Sequence, residues 1–287
     1  MDVLQLHPHG YCLGVRAAID LALQAKKDHP SSNVYLLGLL VHNEEAVAEL
    51  EKAGLIPLDE RKKDLLSYLL DMQEGDVVVF SAHGHPSAYD DLAKAKGLIC
   101  VDATCRYVKE NLEAGKETKG SLLYIGVAGH LESEAFLANN PDSGFYDVKS
   151  HTGDLLRLKG KKETPTIITQ TTLSGDEIEE AMDDIRVFFP DATISKERCH
   201  STSLRQKAVA FLPSDVDALI VLGSKRSNNS VKLYELGLSM DKETYLCLGL
   251  EDVKELNLKG KRRVALCSGA STSDATFDAV LSYLRSV

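Results

Sequence analysis

Three of the six cysteines stand where a thiol can do chemistry. Cys12 in HPHGYCLGV, Cys105 in DATCRYVKE and Cys199 in KERCHSTSLRQ each lie just ahead of a segment of helical character. A helix N-terminus lowers a thiol pKa and favours the thiolate that metals require. Three thiolates on one centre suit zinc or an iron–sulfur cluster. Structural zinc usually takes four ligands at short spacing, which these three cysteines lack; catalytic zinc takes three protein ligands and stays open as an alternative. A cubane held by three cysteines leaves one iron free for a substrate, and spacing ranks it above zinc. Cys100, Cys247 and Cys267 lie in strand-like runs (GLIC, YLCLGL, VALCSG) and read as small buried hydrophobes.

A second group of polar residues follows the apolar runs. His42 (VHNEE), His83 (SAHGH) and His130 (AGHLE) each sit in a turn containing Gly or Asn. The matching turn late in the chain, SKRSNNS, offers Ser227, Asn228, Asn229 and Ser230, and the last turns add Thr171 and Thr172 (QTTLS), then Ser271 and Thr272 (GASTS). Capping is the ordinary role of such hydroxyls, and Ser174 with Glu177 fits a capping box opening the helix EIEEAMDDI. The alternative is an anion site, in which helix N-termini, hydroxyls, amides and imidazoles meet a phosphate. No glycine-rich phosphate loop occurs, so an ordinary nucleotide site is not indicated. Glu132, two residues after His130, is the one acid in this set. It reads either as a solvated loop residue or as a proton donor.

The elements that must position these residues recur. Cys12, Cys105 and Cys199 are 93 and 94 residues apart. After each comes a helix-like segment, then an apolar run (VYLLGLLVHNE, SLLYIGVAGHLE, ALIVLGSKRSNNS). A second run follows (GLIPLDE, GFYDV, TYLCLGLED), then a third that feeds a small-residue turn (DVVVFSAHGHPS, TPTIITQTTLS, RVALCSGASTS). From each cysteine to that last turn is 71, 66 or 72 residues, ending at His83, Thr171 and Ser271. This predicts a triplicated α/β unit with lobes at 1–104, 105–198 and 199–287. Continuous apolar strands alternating with helices predict small parallel sheets flanked by helices. Ligands bind beyond the carboxyl ends of such strands, where all of these turns fall.

Bulk properties predict a soluble cytosolic globular protein. The chain has 287 residues, 44% of them hydrophobic, enough for a sizeable core. A net charge of −10 argues against nucleic acid and against an anionic membrane surface as partners. The start, MDVLQLHPHG, shows no signal-peptide pattern, and the longest apolar runs are strand-length, so a cytoplasmic protein without membrane spans is expected. Six cysteines are too few for a disulfide framework in a chain this long.

Nine motifs in order, GYCLGV, VHNE, SAHG, DATC, AGHLE, QTTLS, C-x-S-T-x-x-RQ, GSK-x-S-x-NS and GAS, resemble the 4-hydroxy-3-methylbut-2-enyl diphosphate reductase family over nearly the whole chain. The resemblance implies a trefoil of three α/β lobes around a central [4Fe–4S] cluster, one per chain. Cys12, Cys105 and Cys199 would be its ligands, with one open iron. It implies that His42, His83, His130, Ser227, Asn228, Asn229 and Ser271 surround the substrate diphosphate. Glu132 would supply protons to the leaving hydroxyl, assisted by Thr171 and His130. The implied reaction is the last step of the methylerythritol phosphate route to isoprenoids, a reductive dehydroxylation giving isopentenyl and dimethylallyl diphosphate. Ferredoxin or flavodoxin would donate the electrons. Arg106, Leu131, Asn228 and His85-Pro86 depart from the family pattern. They leave open a paralogue with another substrate; a non-catalytic iron–sulfur redox protein and a zinc-dependent phosphoester hydrolase are the further alternatives.

Overall fold

The apolar runs form strands, and the most central are buried along their full length, as in Val77–Phe80 and Ala218–Leu222. Such strands are covered on both faces, so they read as continuous apolar segments rather than alternating ones. The computed structural model describes residues 1–161, 163–195 and 199–287, with His200 described by its backbone alone.

Twelve strands are described. In chain order they are β1 (Asp2–Gln5), β2 (Val34–Leu37), β3 (Ile56–Leu58), β4 (Val77–Phe80), β5 (Ile99–Asp102) and β6 (Leu122–Gly126). The rest are β7 (Gly144–Asp147), β8 (Thr152–Gly153), β9 (Thr166–Thr169), β10 (Ala218–Leu222), β11 (Glu243–Cys247) and β12 (Arg263–Ser268). They form three sheets of four, in the orders β3-β2-β4-β5, β8-β7-β6-β9 and β1-β12-β10-β11. All pairings are parallel except that of β8, a two-residue edge strand antiparallel to β7. In every sheet the first run after the cysteine is central, the second lies on one side and the third on the other. The α/β expectation of three similar sheets is met.

The place beside the third run shows how the repeat closes. In the first sheet it is taken by β5, the strand just before Cys105. In the second, Ile194 makes a single parallel bridge to Ile167 shortly before Cys199. In the third it is taken by β1, the strand ahead of Cys12, in register from Asp2 with Arg263 to Gln5 with Leu266. Each pre-cysteine segment thus pairs with the preceding unit's third strand, cyclically. The boundary at 1–104 groups β1 with the first lobe, whereas its hydrogen bonds lie in the third sheet; the lobe boundaries themselves stay a proposal.

The chain divides into two compact units. One comprises Met1–Arg16, Val41–Ala53 and His200–Val287 and contains the third sheet. Alternate residues of β10 supply its two cores. Ala218, Ile220 and Leu222 pack with Val264, Leu266, Phe277 and Val280, while Leu219 and Val221 pack with Val209, Leu233 and Ala265. The other unit, Ala17–Leu40 and Gly54–Cys199, contains the first two sheets. Here Val78 and Phe80 pack with Leu37 and Leu69, and Leu123 and Ile125 with Ile167, Ile178 and Ile185. Truncating one such side chain to Ala costs about 2–5 kcal/mol.

Helix starts follow local chemistry. Ser174 and Glu177 form the expected capping box: Glu177 N donates to Ser174 Oγ at 3.1 Å, and Ser174 N donates to Glu177 Oε2 at 2.9 Å. Asn43 caps Glu44–Lys52, His130 caps Leu131–Asn139, Ser227 caps Asn228–Ser239 and Ser273 caps Asp274–Ser286. Among the described residues no helix is long and apolar enough to cross a membrane.

Candidate functional site

The strand ends of the second sheet hold a buried acid. Strand β6 ends at Gly126, the chain turns through Gly129, and His130 opens a helix whose first turn carries Glu132. An acid in the first turn suits the helix dipole, yet here it is 2% exposed. Thr171, just past β9, donates its N–H to Glu132 Oε1 and its hydroxyl to Oε2, both at 2.8 Å. Tyr124 Oη, in the middle of β6, donates to Oε1 at 3.3 Å. These donors favour the carboxylate, but burial outweighs them and pushes the Glu132 pKa up to about 7. Near neutral pH the side chain is therefore shared between its acid and carboxylate forms, with the Thr171 hydroxyl donating to it.

Gln170 locks the two turns together. Fully buried, it accepts from Val127 N at 2.9 Å and from Ser133 Oγ at 3.2 Å, and donates to Thr172 Oγ1 at 2.9 Å. Neither Gln170 nor Tyr124 was assigned a role from sequence. Gln170 belongs to the QTT motif and could have been noticed there, whereas Tyr124 lies inside an apolar strand where nothing distinguishes it.

His130 Nδ1 accepts the Glu132 backbone N–H at 3.1 Å, which leaves the ring proton on Nε2 in the neutral form. Burial and the adjacent His83 ring lower its pKa to about 3, so it is an uncharged donor at working pH. The His83 ring stands edge-on at 5.7 Å and is anchored by Ser81 Oγ, 3.3 Å from its Nδ1. His83, His130, Glu132 and Thr171 are thus gathered in one unit. His85, one of the unusual residues, stacks on Phe80 at 3.7 Å and pairs with Asp90 at 3.0 Å.

The third sheet carries the other set. A Cβ on Gly223 or Gly269 would overlap Ser230 Oγ, so only glycine lets the Asn228–Ser239 helix start approach the ends of β10 and β12 this closely. Thr272 closes the contact by donating to Leu222 O at 2.9 Å. Ser227 takes the capping role, with Ser230 N donating to its Oγ at 3.4 Å. Asn229, 3% exposed, and Ser271, 6% exposed, are different. Neither amide atom of Asn229 nor the Ser271 hydroxyl has a hydrogen-bond partner. A buried polar group left so costs about 1–3 kcal/mol, a cost that a bound anion would remove for the two donors, Asn229 Nδ2 and Ser271 Oγ. Asn228 is half-buried beside them, and His42, also half-buried, belongs to the same unit directly ahead of the Asn43 cap.

The cysteines fall into two classes. Cys12, Cys105 and Cys199 are half-buried, each directly before a helix. Cys12 N donates to Ala270 O and Cys105 N to Ala82 O, both at 3.0 Å, so each is tied to the turn after a third strand. Cys247 and Cys267 are buried in β11 and β12, where burial pushes their thiols up to about 11 and about 12; Cys100, in β5, is also raised. Raised pKa values make the strand thiols poor metal ligands. Cys12 lies in one unit, Cys105 and Cys199 in the other. Among the described residues no group of three or more His, Cys, Asp or Glu side chains is poised around a single ion.

Of the remaining departures, Arg106 is exposed and pairs with Glu110 at 2.7 Å, and Leu131 lies over Gly38. Neither touches the Glu132 hydrogen bonds.

Comparison with known proteins bears on the fold and the family. The 4-hydroxy-3-methylbut-2-enyl diphosphate reductase of Symbiobacterium thermophilum is 37% identical, covering 99% of this chain and 97% of that protein. The enzyme of the same name from Lysinibacillus sphaericus is 35% identical, covering 99% and 88%. The structure of E-1-hydroxy-2-methyl-but-2-enyl-4-diphosphate reductase from Plasmodium falciparum superposes with a TM-score of 0.83 at 26% identity, over 99% of this chain and 87% of that one. A structure of (E)-4-hydroxy-3-methyl-but-2-enyl diphosphate reductase, described as the terminal enzyme of the non-mevalonate pathway, superposes at 0.72 and 28%, covering both chains fully. The profile of the LytB protein family matches residues 3–285, and with these relatives it establishes that the chain belongs to that family.

Proposed function

We propose that this chain reduces 4-hydroxy-3-methylbut-2-enyl diphosphate to isopentenyl and dimethylallyl diphosphate in the cytoplasm. The observation that carries the reading is Glu132, a buried carboxyl with a pKa near 7 held by Thr171. Removing an allylic hydroxyl as water consumes two electrons and two protons: one proton leaves with the oxygen and one forms the new C–H bond. The electrons come from outside, with ferredoxin or flavodoxin as donor.

Cys12, Cys105 and Cys199 would hold a [4Fe–4S] cluster, one per chain, which supplies electrons and a Lewis-acidic open iron when bound. Every other task falls to side chains. Glu132 delivers a proton to the departing hydroxyl; the Thr171 hydroxyl orients that proton and then stabilises the carboxylate left behind. His130, neutral and protonated on Nε2, donates to a phosphate oxygen without adding charge, and His42 and His83 act beside it. Asn229 Nδ2 and Ser271 Oγ complete their hydrogen bonding on the diphosphate, together with Asn228 and the Ser227 turn at a helix N-terminus.

The deciding assay is anaerobic. After cluster reconstitution and an iron count, oxidation of reduced viologen is followed on adding the hydroxymethylbutenyl diphosphate. Substrate-dependent oxidation with formation of both five-carbon diphosphates is expected. Full iron content without turnover would remove this substrate from consideration.

A further inference from the structure

Arg205 and Gln206 end the C-x-S-T-x-x-R-Q run, and no step above uses them. Arg205 lies on the helix His200–Ala210, 2% exposed. Its Nη1 donates to Pro8 O and Ser268 O, both at 3.0 Å, and approaches Ser268 Oγ at 3.5 Å; its Nη2 donates to Gly10 O at 2.8 Å. The acceptors belong to two separate stretches, the HPHGYC loop and the turn leaving β12. The same stretches meet directly: Gly10 N donates to Ser268 Oγ and Cys12 N to Ala270 O, both at 3.0 Å. Gly10 has φ +72, and a Cβ there would overlap the Asp274 carboxylate, so the loop is also held from its other side. All of these residues belong to one unit.

A buried cation is costly unless its donors are used. A guanidinium offers a rigid planar fork that reaches several carbonyls at once, whereas a lysine offers a single point of charge. We propose that Arg205 is a positioning residue whose fork staples the Pro8–Cys12 loop to the Ser268–Ser271 turn. It thereby sets Cys12 Sγ for the cluster and Ser271 Oγ for the diphosphate. The roles of Cys12 and Ser271 rest on the reductase reading; the staple itself does not.

The test uses full-length Arg205→Lys and Arg205→Gln beside the wild type. In iron-free protein, alkylation of Cys12 by iodoacetamide is measured by mass spectrometry relative to Cys105 in the same sample. Arg205→Lys is expected to raise the Cys12-to-Cys105 ratio about tenfold, the equivalent of one lost charge-assisted hydrogen bond. In reconstituted protein, iron loss to a chelator should quicken by a similar factor. An unchanged ratio overturns the proposal, and so does an equal rise at both cysteines, which is what a merely structural arginine would give. Should the variants fail to fold, amide exchange in the wild type decides. Gly10 and Cys12 must be protected like β12, and exchange as fast as an exposed loop overturns the staple. A changed ratio in protein that takes up no iron would keep the staple and remove the reductase reading.

Discussion

The ends of the second and third sheets use the same architecture in opposite hydrogen-bonding states. At β6 and β9, Glu132 is saturated by Thr171 and Tyr124, and Gln170 ties the surrounding turns. At β10 and β12, Asn229 and Ser271 are equally buried but short of partners. The first region is hydrogen-bonded without any ligand, as the proposed proton-transfer role of Glu132 would require, since such a group must have its pKa set in advance. The second, on the proposed function, would be completed by its ligand, so its unmet hydrogen bonds would become binding energy rather than fold stability.

The sharpest way to break this contrast is Glu132→Gln. Turnover should fall by about 10³-fold with iron content and KM near wild type, within the range that general acid catalysis supplies. A variant retaining most of its rate would remove Glu132 from the chemistry.

The same residue gives the next effect, on stability against pH. Its folded pKa is raised from 4.5 to about 7, so the fold favours the protonated form. That contribution is fully present below about 4.5 and is lost as pH rises through about 7. Relative to Glu132→Gln, the wild type should lose up to about 3 kcal/mol over that window in denaturant titrations. Parallel pH profiles for the two proteins would mean that the carboxyl is not buried as described. Turnover should decline over the same upper limb, since the acid form is the working one.

At the other sheet the signs reverse. Asn229→Ala should lower kcat/KM by about 10–100-fold, mainly through KM, while leaving the ligand-free melting temperature unchanged or raised. A loss of several degrees would show that the amide already has partners and would dissolve the contrast.

Thr171→Val sharpens it further. Loss of the hydroxyl removes a donor that favours the carboxylate, so the Glu132 pKa rises and the basic limb of kcat moves up by about one pH unit. The rate falls about tenfold; an unmoved limb would assign the limb to another group. The smallest effect belongs to Arg106→Ala, whose exposed pairing with Glu110 is screened by solvent and contributes little. Iron content and turnover should match the wild type within error.

Much of this was legible along the chain. The runs VYLL, VVVF, ALIVL and their partners announced three parallel sheets because strands buried on both faces are continuously apolar, and Gly or polar turns marked their ends. The division of the cysteines was visible too: Cys247 and Cys267 are flanked by apolar strand residues, whereas Cys12 and Cys105 precede helices. Capping by Ser174 and Glu177 is a local signature and was read directly.

What depends on residues far apart in sequence was not. The pairing of β1 with β12 joins the two ends of the chain, and no local pattern specifies a strand's neighbour. The Glu132 pKa comes from burial that outweighs the hydrogen bonds of Thr171 and Tyr124, and the missing partners of Asn229 and Ser271 are properties of a packed interior. Arg205 reads in sequence as one more helical cation, yet it is buried with its fork on carbonyls nearly two hundred residues away. Sequence by itself determined the elements and the reactive residue types, because these are set by periodicity and spacing, and its ordered motifs carried the resemblance to the family. Tertiary structure alone decided charge state, hydrogen-bond satisfaction and the strap on Cys12, because these depend on which distant groups exclude water together.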